Sequence, residues 1–249
     1  MGSIYRILLP GVPVSSGRGA LGWCSVVLLR AGGKNILFDT GSYGDRPLLL
    51  QQLAGCGLAP EDVDLIFASH FHYDHVVNAE LFGCEVAVSR AEWRYVVEGD
   101  YLARRDPFVP RALVGHLGKR LVPVGGGDEL APGIVTVELP GHTPGTTGLL
   151  VRDEGVLLAS DAVKNAWDFV RGAPPPSFFS AETAPANYRR VRELARVVVP
   201  GHDRPFELLP DGGVRLLGSA LEVGIDLFDD PARAARRLTL LEPAGPSGA

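Results

Sequence analysis

An α/β fold, in which two sheets pack face to face beneath a cover of helices, is the architecture that this sequence predicts. Short runs rich in Val, Ile and Leu and bounded by Gly and Pro are typical of buried strands. These runs alternate with helix patterns in two series, over residues 4–99 and 119–217. The sequence shows no repeat at a period of roughly 20 to 50 residues, which argues against a solenoid.

The first series alternates strands with helices. Strands are predicted at residues 4–9, 23–29, 35–38, 64–69 and 84–89, and helices at residues 45–55, 74–81 and 91–98. Clustered leucines favour the helix at 45–55, and Gly55 and Gly57 mark its end. Asp74 is expected near the N-terminus of the next helix.

The second series places most of its strands before its helix. Strands are predicted at residues 134–139, 147–152, 155–159 and 197–199, with a helix at 183–195 and a hairpin at 206–217 that turns at residues 211–213. Thr183 is a candidate helix cap. Residues 99–127 and 164–182 read as irregular connections, which in compact domains are often lids or binding loops.

Length and composition limit the classes of protein. The 249 residues fit a single domain, with a flexible C-terminal tail from about residue 242. The net charge of −5 counts against nucleic acid as a partner. We expect no membrane span and no secretory signal, and therefore a cytoplasmic protein, because no apolar run approaches roughly 18 residues. Homo-oligomerisation is left open.

Three cysteines, Cys24, Cys56 and Cys84, are widely spaced and form no Cys-x-x-Cys motif. An odd number of cysteines without a secretory signal is typical of free thiols. We expect all three to be free and buried.

Metal-type ligands begin within three residues of the end of four of the apolar runs. They are His70, His72, Asp74 and His75 after the run at 64–69, His142 after 134–139, Asp161 after 156–160, and His202 after 197–199. Imidazoles and carboxylates without thiolates suit a catalytic site for zinc, iron or manganese better than a structural zinc site. These seven candidates are too many for one tetrahedral ion and fit two ions that share a bridging carboxylate.

From residues 38–41 (Phe-Asp-Thr-Gly) to residues 200–202 (Pro-Gly-His), these motifs resemble the metallo-β-lactamase superfamily of metallo-hydrolases. The His-x-His-x-Asp-His hexad at residues 70–75 is the most specific of them. The resemblance implies an αββα sandwich, in which two mixed sheets are flanked by helices and the site lies at one edge of the sheets.

The resemblance also implies a role for each candidate. It assigns the first ion to His70, His72 and His142, the second to Asp74, His75 and His202, and the bridge to Asp161. Asp39 is expected to support a ligand loop from behind. Many members of the family carry a histidine where this chain has Thr146, which affects a local hydrogen bond rather than the ligands.

The expected activity is hydrolysis of small esters, lactones or related carbonyl compounds. Two divalent ions, with zinc the first expectation, would share a bridging hydroxide as nucleophile. Asp74 would orient this nucleophile and pass its proton to the leaving group. A serine nucleophile is not expected, because the sequence has no Gly-x-Ser-x-Gly motif.

Lys164 is a candidate substrate-binding residue, because it follows the predicted bridging ligand Asp161 by three positions. Quorum-quenching lactonases of the family carry a tyrosine there, whereas several β-lactamase relatives carry a lysine that binds a substrate carboxylate. Lys164 is therefore expected either to bind an oxyanion or acidic substituent, or to be a solvated surface lysine. Because β-lactamases usually replace the residue equivalent to Asp161, a dedicated β-lactamase is not expected.

Other functions remain open on the same scaffold. They are a glyoxalase-II-like thioesterase, a phosphodiesterase or nuclease, and a mononuclear iron dioxygenase of the persulfide type. The residues after 217 are too few for the extra helical domain of the thioesterases, and the acidic charge counts against a nuclease. Aromatic residues of the irregular segments line a substrate pocket or belong to the core; they are Trp93, Tyr95, Tyr101, Phe108, Trp167, Phe169, Phe178 and Phe179.

Overall fold

The fold is seen in a computed structural model that describes residues 4–17, 19–219, 221–225 and 236–240. Its strands are β1 (Tyr5–Leu9), β2 (Ser15–Ser16), β3 (Gly19–Ala20), β4 (Val26–Ala31), β5 (Lys34–Phe38), β6 (Leu65–Phe67), β7 (Glu85–Ser89), β8 (Leu121–Val124), β9 (Glu129–Ala131), β10 (Ile134–Glu138), β11 (Thr147–Val151), β12 (Val156–Ser160), β13 (Val197–Pro200), β14 (Phe206–Leu208), β15 (Val214–Leu216), β16 (Leu221–Ile225) and β17 (Arg236–Leu240). Its α-helices are α1 (Arg46–Gly55), α2 (Tyr73–Val76), α3 (Arg90–Val97), α4 (Asp100–Ala103), α5 (Arg111–Leu117), α6 (Ala166–Arg171) and α7 (Ala184–Leu194).

Two mixed sheets form the centre of the molecule. The first has the order β1-β4-β5-β6-β7-β8, antiparallel from β1 to β5 and parallel from β5 to β8. The second has the order β15-β14-β13-β12-β11-β10-β9, in which β12 and β13 are parallel and the other neighbours antiparallel. The predicted αββα sandwich is therefore confirmed.

Alternation along the strands separates three layers of core. In β4, Val27 and Leu29 face the second sheet, whereas Val26 and Leu28 face the helices, as the two-residue period of a strand requires. The layer between the sheets includes a stacked pair, Phe38 and Phe67, with ring centroids 6.0 Å apart. Residues from α1, α3, α4 and α5 cover the first sheet, and residues from α6 and α7 cover the second.

The strand directions explain why distant ligands meet at one edge. β5 and β6 are parallel, so Asp39 and His70 follow strands that end on the same side. β12 and β13 are also parallel, and β10 has the same direction because it is separated from β12 by the antiparallel β11. The segments that carry His142, Asp161 and His202 therefore leave their sheet at one edge.

Several predictions about local structure are wrong. The segments predicted to be irregular contain α4, α5 and β8 in the first case and α6 in the second. These elements have only four to seven residues, too few to show a clear hydrophobic period. The helix predicted at 74–81 is one α-helical turn followed by a 3-10 helix, Val77–Leu81. Thr183 precedes α7 but donates its hydroxyl hydrogen bond to the Ser180 carbonyl instead of capping the helix.

Other predictions are confirmed in whole or in part. The hairpin of β14 and β15 forms as predicted. The three cysteines are free, although Cys24 is fully buried while Cys56 and Cys84 are half-buried. The described helices include none that is long and apolar enough to cross a membrane. The predicted tail from residue 242 lies outside the described residues.

Candidate metal centre

The structure brings all seven predicted ligands into one buried cluster. Among the described residues, His70, His72 and His142 form a trio whose ligand atoms lie within 4.8 Å of one another, and so do Asp74, His75 and His202. Each of the seven side chains is buried to more than nine-tenths of its residue surface. His70, His75 and Asp161 form a further group of this kind, so the two trios adjoin, and their assignment to two ions stays a prediction.

Asp161 lies between the two trios. Its Oδ1 is 3.2 Å from His202 Nε2 and 3.5 Å from His75 Nε2, and its Oδ2 is 3.5 Å from His142 Nε2. Asp74 belongs to the second trio, with its Oδ2 3.4 Å from His202 Nε2 and 3.7 Å from His75 Nε2. One oxygen of Asp161 thus faces each trio, which is the arrangement a bridging ligand requires.

Buried polar atoms without partners test whether a metal fits here. Within the described residues, four buried side-chain atoms have no hydrogen-bond partner: His70 Nε2, His75 Nε2, Asp161 Oδ1 and His202 Nε2. Leaving a polar atom buried and unpaired costs roughly 1 to 3 kcal/mol. All four face the cluster, so the donor set fits divalent cations that would satisfy them together.

The outer ring nitrogens decide which nitrogen faces the cluster. His70 Nδ1 lies 3.0 Å from Ser69 Oγ, and His142 Nδ1 lies 2.5 Å from the Pro176 carbonyl oxygen. His202 Nδ1 lies 3.2 Å from the Trp23 carbonyl oxygen. A carbonyl can only accept, and Ser69 Oγ donates its own proton to Asp39, so each of these outer nitrogens carries a proton and the inner nitrogens of the neutral rings are bare.

His72 is turned the other way, because its Nε2 contacts the carboxylate of Asp106 at 2.9 Å. Its Nδ1 therefore faces inward and lies 2.9 Å from His142 Nε2. Since the outer partners leave both of these nitrogens without a proton, their lone pairs repel unless a cation lies beside them. This contact is a second sign of a cation position at the first trio.

Asp39 contacts groups behind both trios. Its Oδ2 lies 2.8 Å from His75 Nδ1 and accepts a hydrogen bond from Ser69 Oγ at 2.8 Å. Ser69 Oγ in turn contacts His70, a member of the first trio. Asp39 also accepts a hydrogen bond from the Ser69 backbone at 2.8 Å, which ties the end of β5 to the ligand loop.

Burial and neighbouring charges set the protonation of the cluster. Burial lowers the pKa of His142 to about 3, and burial together with neighbouring imidazoles lowers the pKa of His70. Burial opposes ionisation of Asp161, but His202, Lys164 and His75 outweigh it and hold the pKa of that carboxyl low. Burial opposes the charge of His75, but Cys24, Asp74, Asp39 and Asp161 outweigh it and raise the pKa of this imidazole. Metals bind neutral imidazoles and ionised carboxylates, so metal binding at the second trio would release the proton of His75.

Cys24 lies next to the second trio but has the wrong properties for a ligand. Its thiol donates to the Asp74 carbonyl oxygen over 3.0 Å. Burial raises the pKa of the thiol to about 12. Because metals bind the thiolate, this cysteine is a packed thiol, as the sequence predicts.

Two residues of the site were missed by the sequence predictions, and the first is Asp106. Its side chain is fully buried and accepts hydrogen bonds from Tyr95 Oη at 2.8 Å and from the Phe108 backbone at 2.9 Å, in addition to its contact with His72. Burial opposes its ionisation, but the His72 contact and these hydrogen bonds keep the pKa of the carboxyl below its usual value. A single Asp in a segment predicted to be irregular carries no sequence signal.

The second missed residue is Glu92, at the start of α3. Its carboxylate accepts hydrogen bonds from the backbone of Phe71, between two ligands, and from Thr143 and Gly145, after His142. Ser89 accepts from the Glu92 backbone, so residues 89–92 (Ser-x-x-Glu) follow the capping-box pattern. That pattern was a usable signal for the helix start, although it does not predict that the carboxylate reaches two ligand loops.

The rim of the cluster is partly aromatic. Phe108 and Phe178 pack with ring centroids 5.4 Å apart, and each lies within 5.6 Å of the His72 ring. Of the other aromatic residues considered from the sequence, Tyr95, Tyr101 and Phe169 are buried in the core, Trp93 packs against it, and Trp167 and Phe179 are exposed. Of the aromatic residues considered, Phe108 and Phe178 therefore remain as candidates to line a substrate pocket.

Lys164 lies at the cluster and not on a solvated face. Its Nζ donates to Asp161 Oδ2 over 3.1 Å, and 23% of its side chain is exposed. Burial opposes its charge, but Asp161 outweighs this and raises the pKa of the ammonium group. Lys164 therefore adds a positive charge beside the Asp161 carboxylate. At Thr146, the hydroxyl accepts a hydrogen bond from the Thr143 backbone, which fills the place of the histidine common in the family.

Comparison with known proteins identifies the family. The family described as the metallo-beta-lactamase superfamily matches residues 21–202. The chain belongs to this superfamily. The predicted family is thereby confirmed, and with it the class of metal-dependent hydrolase.

Curated members of the superfamily resemble the chain over much of its length. Metallo-beta-lactamase domain-containing protein 1 is 31% identical in Xenopus laevis, over 76% of this chain and 74% of that protein. The human protein of that name is 34% identical over 70% of this chain and 60% of its own length. An N-acyl homoserine lactonase from Bacillus sp is 30% identical, over 59% of this chain and 58% of that protein. The match to the latter two thus spans less than two-thirds of their lengths.

Solved structures of superfamily members share the fold. An N-acyl homoserine lactone hydrolase, solved with N-hexanoyl-L-homoserine at its catalytic metal centre, is 24% identical with a TM-score of 0.60 and covers 72% of this chain and 80% of its own. AidC, described as a dizinc quorum-quenching lactonase, is 18% identical with a TM-score of 0.64 and covers 80% of both chains. At these identities the likeness concerns the fold.

Proposed function

We propose that the protein hydrolyses small lactones, esters or related carbonyl compounds with the help of two divalent metal ions, zinc in the first place and iron or manganese as alternatives. The observation that carries the proposal is the set of buried ligand atoms that face one another without hydrogen-bond partners in the described part of the chain. Structural ion pairs and hydrogen-bond networks normally satisfy such atoms. Here they are left for a bound cation.

His70, His72 and His142 would hold one ion, Asp74, His75 and His202 the other, and Asp161 would contact both. Two divalent cations at such positions supply Lewis acidity and lower the pKa of a shared water. The protein keeps the ligands oriented through Asp39, Asp106 and backbone carbonyls. It also excludes bulk water, since the ligands are buried.

Asp74 is the proposed proton carrier. Its side chain is 11% exposed, against 2% for Asp161, so it is the carboxylate of the cluster that a substrate or water can reach. It takes a proton from the attacking water while the new C–O bond forms. It returns that proton to the leaving oxygen when the old C–O bond breaks, so that carboxylic acid and alcohol are the products.

The rim suggests the kind of substrate. Phe108 and Phe178 offer an apolar surface beside the first trio, which suits an acyl or aryl group. Lys164 offers a positive charge beside Asp161, which suits a carbonyl oxygen or an acidic substituent. The lactonases among the relatives act on N-acyl homoserine lactones, whose acyl chain and ring carbonyl have these features.

We also propose a cytoplasmic location, in line with the three free cysteines.

A rate screen with zinc-loaded protein tests the proposal. Lactones, aryl esters, thioesters and phosphodiesters are compared, and we expect the lactones or aryl esters to be fastest with about two zinc ions per chain. His72→Ala should lose at least about 100-fold in rate, the scale expected when a metal ligand is removed. His116→Ala is the matched control, because His116 is exposed on α5. Full activity in His72→Ala would contradict the proposed centre, and one iron with thiol-dependent oxygen uptake would favour a dioxygenase.

A further inference from the structure

Asp106 reaches the first trio from a segment that also carries Phe108, beside the His72 ring. The segment follows α4, and Arg105 adopts a left-handed backbone conformation with φ of +53°. A residue other than glycine rarely adopts this conformation, and such strain is often retained where it serves a site. The turn directs Asp106 inward, where its backbone donates to the Tyr101 carbonyl and its side chain is fully buried.

The hydrogen bonds of the Asp106 carboxylate fix its own orientation and that of the His72 ring. Oδ2 takes the contacts with His72 Nε2 and Tyr95 Oη, and Oδ1 accepts from the Phe108 backbone. The Tyr95 hydroxyl holds the carboxylate in place from the core side, where Tyr95 is 1% exposed. His72 can therefore present only Nδ1 to the cluster.

Each trio has one imidazole backed by a carboxylate. His75 in the second trio is backed by Asp39, and His72 in the first by Asp106. The outer nitrogens of His142 and His202 contact backbone carbonyls instead. A carboxylate behind an imidazole fixes its tautomer and makes it a stronger electron donor.

We propose that Asp106, held by Tyr95, is a positioning residue that fixes His72 for ligation through Nδ1 and thereby sets the affinity of the first metal position. This inference rests on the proposed function, since it presumes metal binding at the cluster. The Phe108 backbone, which donates to Asp106, also accepts a hydrogen bond from the Tyr73 backbone at 2.9 Å. The segment is thereby fastened to the loop that carries His72.

Metal affinity tests the inference without recourse to activity. Zn²⁺ binding is measured by competition with a chromophoric chelator for the wild type, Asp106→Asn, Tyr95→Phe and Asp100→Asn. Asp100 is the matched control, because it lies at the exposed start of α4 and loses the same charge. We expect Asp106→Asn to weaken one of two bound ions by about 10- to 100-fold, Tyr95→Phe to have a smaller effect of the same kind, and Asp100→Asn to have none.

Two further measurements separate positioning from folding. Thermal unfolding of the metal-free variants reports stability, and the visible spectrum of Co²⁺-loaded protein reports the ligand field. A changed Co²⁺ spectrum in folded Asp106→Asn supports the inference, whereas lower stability with unchanged affinity and spectrum overturns it. Equal weakening of both ions also overturns it. If Asp106→Asn does not fold, unchanged zinc affinity in Tyr95→Phe overturns it, and wild-type protein that binds no metal refutes the proposed function itself.

Discussion

Gly201 approaches the Asp161 carboxylate more closely than any other residue type could. A Cβ placed on it would lie 2.0 Å from Asp161 Oδ1 and 3.0 Å from the Asp161 backbone nitrogen. Any side chain would therefore displace the carboxylate or the loop that carries His202. The glycine next to His202 is thus required by the site as well as by the turn.

Gly201→Ala should lower the rate by about 100-fold, the cost of displacing a reacting group by about 1 Å. The same variant should bind less metal, which is measured as zinc per folded chain. Gly83→Ala is the control, because a Cβ there meets nothing within 4 Å and its φ is not positive. Wild-type activity in Gly201→Ala would show that Asp161 can move without effect on the site.

Lys164 allows a prediction about specificity. Lys164→Met should raise KM by about 10-fold for substrates with an acidic substituent and change it less for neutral esters, because a hydrogen bond to a charged group contributes about 1.5 to 3 kcal/mol. KM and kcat are compared for a matched pair of acidic and neutral substrates. Lys119→Met, at an exposed lysine, should change neither. An equal change for both substrates would assign Lys164 to support of Asp161 alone.

At the residue scale, sequence reasoning finds ligands better than their supports. The hexad at residues 70–75 and the histidines after Gly141 and Gly201 follow strand ends in a recognisable pattern. Asp106 and Glu92 have no such pattern, because a single carboxylate is usually a solvated surface group. Only the three-dimensional path of the chain brings them against the ligand loops.

Among the described helices and strands, the N-terminus of α3 is the element that connects the loop of residues 70–75 with the loop that follows His142. Glu92 accepts from both loops, and Ser89 Oγ donates to the Gly145 carbonyl oxygen over 2.7 Å. Gly145 packs directly on the helix, since a Cβ there would lie 2.1 Å from the Glu92 backbone nitrogen. Backbone atoms cannot yield as a flexible side chain can.

Gly145→Ala should therefore lower the free energy of unfolding by about 1 to 3 kcal/mol, as in other overpacked sites. Gly115→Ala is the matched control within α5, where a Cβ meets nothing within 4 Å and alanine should add about 0.5 to 1 kcal/mol. Chemical denaturation measures both values. Equal stability of the two variants would mean that the His142 loop does not rest on α3.

Elements differ in how well the sequence predicts them. The five-residue strands β10 and β12 contain three and four apolar residues, and both were predicted within one residue. The short helices α4, α5 and α6 were missed, because four to seven residues show too little of a helical period. Their stability comes from packing on the sheets, as with Tyr101 and Phe169 in the helix-facing core layers.

The metal positions connect the two halves of the whole molecule. The hexad follows a strand of the first sheet, and His142, Asp161 and His202 follow strands of the second. Metal binding should therefore stabilise the fold against unfolding. A ligand at 100 times its Kd adds about 2.7 kcal/mol per site.

Removing metal with a chelator should lower the Tm by about 5 to 10 °C per position lost, since about 1 kcal/mol corresponds to 2 to 4 °C for a chain of this size. Differential scanning calorimetry with and without chelator measures the shift, and excess zinc should reverse it. His72→Ala should show a smaller shift than the wild type. An unchanged Tm after verified loss of metal would contradict preferential binding of the ions to the folded chain.

The order of the layers was predictable, because the two series of strands and helices and the positions of the ligands agree with one architecture. The pairing of strands that are distant in sequence was not, since neighbours such as β5 and β6 or β12 and β13 are chosen by packing across the whole sheet. The family resemblance implied the αββα sandwich and the role of each ligand, which the hydrophobic periodicity alone does not give.

Phe38 and Phe67 end the strands that precede Asp39 and the loop of His70, and their stacked rings belong to the core layer between the two sheets. The proposed metal centre therefore lies where the two sheets meet, and each sheet contributes some of its ligands. A small shift of one sheet relative to the other would disturb the geometry of the ligands, while the strand pairing within each sheet stayed intact. On heating, activity should therefore be lost before the protein unfolds. Substitutions in the core layer between the sheets should change the reaction rate although these residues do not contact a substrate.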